Sequence, residues 1–120
     1  MAAPNLTSPT TITGKTARVS IGSTTLVGIL TNSSGSNSVL KINSIVSSNT
    51  STTGSKTVSV TINDGSSDTY IIKDVIIPEQ ATQIITSKET YFYLEEGDSI
   101  KANCSVANQA SIIVGYESIS

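Results

Sequence analysis

The densest run of functional-group chemistry in the chain is Glu95-Glu96-Gly97-Asp98. Paired carboxylates can act as acid and base in glycoside hydrolysis, and clustered carboxylate oxygens can bind calcium. Adjacent Glu95 and Glu96 point to opposite sides of a strand, which works against a catalytic pair. The spacing also lacks the alternating oxygen donors of an EF-hand loop, so the run reads first as a solvated turn. Asn63-Asp64-Gly65 followed by Asp68 offers similar donors, but Asn-Asp-Gly is above all a turn sequence, with Gly65 free to take positive φ. No histidine occurs, which removes the commonest general base, the Ser-His-Asp triad and nearly every zinc site. The single cysteine, Cys104, keeps phase with Ile100, Ala102 and Val106 and reads as a buried, inert thiol. These residues predict no catalytic site, no cofactor and no metal.

The aromatics are Tyr70, Tyr91, Phe92, Tyr93 and Tyr116, with no tryptophan. Tyr91 and Tyr93 share one strand face. Such a face can stack sugars, but a Tyr-x-Tyr pair more often completes a core edge or an intersubunit contact, burying each ring while its hydroxyl finds a partner.

These side chains must be positioned by strands. Ser and Thr make up about a third of the 120 residues, Val and Ile dominate the apolar set, and Leu and Ala are sparse. Short apolar runs recur between turn residues, predicting strands near 16–21, 25–31, 39–47, 57–63, 69–77, 82–87, 91–94, 99–106 and 111–117. The expected fold is all-β: a single antiparallel β-sandwich of about 8 strands, Ig-like or jelly-roll. Val58, Val60 and Ile62 alternate with Ser59 and Thr61, which predicts one buried and one wet face. Lys73-Asp74 interrupts two apolar halves and predicts a bulge or sheet crossing. The polar run 47–56 reads as a long exposed hairpin loop and 32–37 as a flexible connection; either is a recognition loop or tolerated surface.

Residues 1–14 are Pro-, Ser- and Thr-rich and read as an extended N-terminal arm ahead of a sandwich domain at 15–120. Ile12 is the arm's main apolar handle, and the arm is expected to lie on the domain's own edge or across a neighbouring chain. Neither a signal-peptide pattern nor a membrane-spanning apolar run is visible, and the Asn5, Asn32, Asn49 and Asn103 sequons read as a by-product of composition. Charge is sparse, 13% of residues with a net of -2, which argues against nucleic-acid and membrane partners. Its distribution is split. Every acidic residue lies from Asp64 onward, whereas residues 1–63 carry only Lys15, Arg18, Lys41 and Lys56. The split reads as complementary charge within one domain, or as head-to-tail contact between subunits.

The turn YLEEGDSI (93–100), the closing V-x-Y-E-x-I-S (114–120) and the opening MAAPN with TTITGKTA (1–5 and 10–17) resemble small virion structural proteins of tailed phages, T4-like marine phages in particular. The resemblance implies a non-enzymatic capsid decoration or cement protein located in the virion and assembled in the host cytoplasm. It implies a homo-oligomer, with a trimer favoured, that contacts the major capsid protein or other virion proteins. The candidate interface residues are Pro4, Ile12, Tyr91 and Tyr93. A neck, collar or tail component is the alternative within that class, and a glycan-binding adhesion module is the alternative outside it.

Overall fold

The computed structural model describes residues 8, 9 and 11–120. Among them lie strands β1 (Ile12–Ser20), β2 (Val27–Thr31), β3 (Val39–Asn49), β4 (Lys56–Asn63), β5 (Asp68–Ile77), β6 (Thr82–Thr86), β7 (Phe92–Leu94), β8 (Ser99–Cys104) and β9 (Ala110–Ile119). One sheet runs β1-β9-β3-β6, with β7 also paired to β3; the other runs β2-β8-β4-β5. Every pairing is antiparallel. The two sheets pack face to face as an all-β sandwich.

The strand order follows from one long antiparallel ribbon bent back at the Asp64–Ser67 turn. β4 pairs with β5 at the tip, then β3 with β6 and β7, β2 with β8, and β1 with β9. Successive pairs fall in alternate sheets, and winding the ribbon brings β9 beside β3 and β8 beside β4. This is jelly-roll rather than Ig-like topology. It also gives the charge split a meaning: the sign changes where the ribbon turns back, so every ladder joins a strand of the basic half to a strand of the acidic half. The complementary charges interleave within one domain.

The core lies between the sheets. Val58 and Val60 of β4 and Ile100, Ala102 and Cys104 of β8 share a cluster with Ile42 and Ile45 of β3 and Ile112 and Val114 of β9, all essentially without exposure. Apart from the three-residue step between Ile42 and Ile45 at the β3 bulge, these mostly β-branched residues sit at alternate positions on paired strands, which is how a pleated sheet builds one apolar face.

β1 begins at Ile12, earlier than the expected 16, because the end of the arm pairs with the domain itself. Thr11 and Ser120 exchange two backbone hydrogen bonds of 2.9 Å, and Ile12, Thr13 and Gly14 stand opposite Ile119, Ser118 and Glu117. Strand β4 corrects the expectation of a wet face, since Ser59 and Thr61 are as buried as Val58 and Val60. They are short side chains on a central strand, overshadowed by Lys101 and Asn103 on β8 and Tyr70 on β5. Their hydroxyls are satisfied there: Thr61 donates to Asp68 (3.1 Å), and Ser59 accepts from the Asp74 N–H (2.8 Å). The bulge at Lys73-Asp74 is present. The β4–β5 register shifts between Val58 and Val60, and Asp74 takes a left-handed φ of 52°.

The segment read as a hairpin loop at 47–56 is instead a crossing between sheets, because β3 and β4 belong to different ones. It is anchored rather than loose: Asn49 donates to the Gly54 and Ile77 carbonyls (3.1 and 2.9 Å) and accepts from the Ser51 N–H (2.9 Å). The 32–37 connection is held in the same way by the buried Asn32, which donates to the Ser38 and Leu94 carbonyls (both 2.9 Å) and accepts from the Ser36 hydroxyl (2.6 Å).

Candidate functional site

The Glu95–Asp98 run closes the turn between β7 and β8. Asp98 accepts from the Glu95 N–H (3.0 Å), Glu96 accepts from the Gly35 N–H (2.9 Å), and Gly97, at φ 88°, donates to the Asn32 carbonyl (2.7 Å). The run thus fastens the β7–β8 turn to the 32–37 connection. In the β4–β5 turn, Asp64 accepts from the Ser67 and Ser66 N–H groups (2.9 and 3.0 Å), which hold its carboxyl below the usual aspartate range. Among the described residues no three His, Cys, Asp or Glu side chains gather as a metal site, and no pocket is found. No helix among them is long and apolar enough to cross a membrane.

The surface is more distinctive on the outer face of the five-stranded sheet. Alternation along paired strands lays its side chains out in rows. One row runs from Gly14 of β1 through Glu117 of β9 and Lys41 of β3 to Tyr93 of β7. Tyr91, just before β7, meets Tyr93 edge to face, with ring centroids 5.9 Å apart and an interplanar angle of 86°. Lys41 Nζ lies 4.5 Å from the Tyr91 ring centroid, a cation–π contact. The neighbouring row is Ile12, Ile119 and Val39, of which Ile12 stands 56% exposed at the sheet edge. Further along the sheet, Arg18, Ile113, Val46 and Ile84 form a third row. Ile113 and Ile84 are 41% and 64% exposed.

Five of the exposed large hydrophobic side chains, Ile12, Ile84, Tyr91, Tyr93 and Ile113, therefore share one sheet face. The structure brings together three of the candidate interface residues, Ile12, Tyr91 and Tyr93; Pro4 lies outside the described residues. Arg18, Lys41, Ile84 and Ile113 were not singled out from sequence. The signal for the two isoleucines was present: Ile84-Ile85 and Ile112-Ile113 are adjacent pairs, and strand alternation must turn one member of each outward unless a bulge intervenes. The Tyr91–Tyr93 geometry is unsuited to the sugar platform considered above, because mutually perpendicular rings do not form one flat stacking surface. Compared with known proteins, the chain matches no family model and no curated sequence.

Proposed function

We propose that this chain is a non-enzymatic virion structural protein, a capsid decoration or cement module that works as a homo-oligomer and docks through the outer face of its five-stranded sheet. The observation that carries the reading is the concentration of Ile12, Tyr91, Tyr93, Ile84 and Ile113 on that face. Several large apolar side chains exposed on one face are characteristic of protein–protein contact. A polar row, Ser20, Ser111, Ser48 and Thr82, borders one end of that face. Isoleucine and tyrosine supply buried contact area, and Arg18, Lys41 and Glu117 supply orientation. The jelly roll is compatible with this role, since it recurs in capsid and lectin domains, but a fold alone does not assign a function.

The test is titration of purified protein onto phage shells, followed by light scattering. Saturation at a fixed ratio to the major shell subunit supports decoration. Binding confined to necks or tails moves the protein to another part of the virion, and no binding to any particle overturns the reading.

A further inference from the structure

Among the described residues, β1 lies at a sheet edge that differs from the other sheet edges. β2 and β6 are five residues long and carry register shifts, β7 has three residues, and β5 is broken by the Lys73-Asp74 bulge. These are the usual ways in which a sheet edge is blunted against further pairing. β1 instead holds unbroken register with β9 over nine residues, Ile12 to Ser20.

The direction of its backbone groups follows from the hydrogen bonds at its start. Thr11 exchanges both of its bonds with Ser120, so Thr13, Lys15, Ala17 and Val19 also turn their backbone groups toward β9. Ile12, Gly14, Thr16, Arg18 and Ser20 aim theirs off the edge, and all five residues are exposed.

Gly14 is the second observation. Its φ is not in the left-handed region, and a Cβ built on it meets nothing within 4 Å. Glycine weakens a strand and commonly marks a close approach by another chain. Among the described residues, nothing calls for it.

We propose that β1 pairs antiparallel with β1 of a second copy, across a two-fold axis centred on Thr16. In this register Thr16 exchanges hydrogen bonds with Thr16 of the second copy, Gly14 with Arg18, and Ile12 with Ser20, so every outward-aimed backbone group is used. Arg18 of the second copy then stands beside Gly14, whose neighbour on β9 is Glu117. The bare glycine leaves the guanidinium a clear path across about 10 Å, two strand spacings, which the combined length of the two side chains spans. Centring the axis on Arg18 instead would set like charges opposite each other, and centring it on Gly14 would forfeit pairs at the far end. On the opposite face Lys15, the one inward-facing charge of the edge, meets Ala17 of the second copy, which is short enough to leave it room. The contact is isologous and independent of the virion reading.

Sedimentation equilibrium on the full chain tests this. Wild type is expected to be a dimer. Thr16→Pro removes an N–H aimed off the edge, leaves the β1–β9 ladder intact, and should give a folded monomer. Arg18→Glu sets two like-charge contacts in place of two attractive ones and should weaken dimerisation about tenfold. Gly14→Val should separate the two roles of that position, raising the melting temperature of the diluted monomer while weakening the dimer. If Thr16→Pro fails to fold, Arg18→Glu and Gly14→Val carry the test. A wild-type monomer, a trimer, or a dimer that none of the folded variants weakens would overturn the assignment.

Discussion

Asn32→Ala offers a sharp test of how this polar chain holds its loops. Asn32 is 3% exposed and ties two segments together: its own connection, through Ser36 and Ser38, and the end of β7, through Leu94. The truncation removes the second hydrogen bond to the Leu94 carbonyl, which keeps its place opposite Leu40 in the β3–β7 ladder, at about 0.5–1.5 kcal/mol. The bonds to Ser38 and Ser36 are only partly buried, so water can replace them in part, at about 0.5–1.5 kcal/mol each. Together the three bonds give a loss of about 1.5–4.5 kcal/mol, a large share of the stability of a typical domain. Asn32→Asp should cost at least as much, because a carboxylate would face two carbonyl oxygens where an NH2 group now donates. Urea unfolding followed by circular dichroism measures both, with an unchanged slope indicating intact two-state behaviour. A loss below about 1 kcal/mol for Asn32→Ala would refute the claim that buried asparagines pin the inter-sheet connections.

Three further outcomes follow from the same structure. Asp74→Ala should destabilise by about 1–3 kcal/mol, since it removes the acceptor of the Ser59 hydroxyl and leaves a β-carbon at left-handed φ; a neutral result in thermal unfolding would contradict the bulge's role. The Asp64 carboxyl, held down by the Ser67 and Ser66 N–H groups, should titrate below the ordinary aspartate value by carboxyl NMR. Its contribution to stability is present above the unfolded-state pKa and lost as pH falls through the lowered folded-state value, and titration at or above the ordinary value would contradict the turn geometry. Cys104, 1% exposed, should react with thiol reagents only on unfolding, and rapid labelling of the native protein would contradict its place in the core.

Much of the fold was legible because strand formation here is local. Alternating Val and Ile between Ser/Thr/Asn turns marked nine strands close to their observed bounds, and Lys73-Asp74 marked the β5 bulge. What escaped depended on strands distant in sequence. The burial of Ser59 and Thr61 arises from Lys101 and Asn103 on β8 and Tyr70 on β5, none of which their own alternation can reveal. The 47–56 run looked like a hairpin because hairpins are the commonest link between antiparallel strands, whereas winding a ribbon sends β3 and β4 to different sheets. Asn32 and Asn49 were visible only as sequon residues; their partners Leu94 and Ile77 lie far along the chain. The charge split was plain in the sequence, but that every ladder joins a strand of the basic half to one of the acidic half needed the strand order. For the candidate face, Tyr91 and Tyr93 were legible as a same-face pair, while the row through Arg18, Ile113, Val46 and Ile84 required the register of three ladders.

The central claim is that the outer face of the five-stranded sheet is the contact surface, and its most direct test is shell binding by an Ile84→Glu, Ile113→Glu double variant. Both side chains are exposed in the free protein, so the variant should melt within a few degrees of wild type. On shells, desolvating two carboxylates in an apolar contact should weaken binding by about a hundredfold or more. Shell binding by the folded double variant equal to that of wild type would contradict the account.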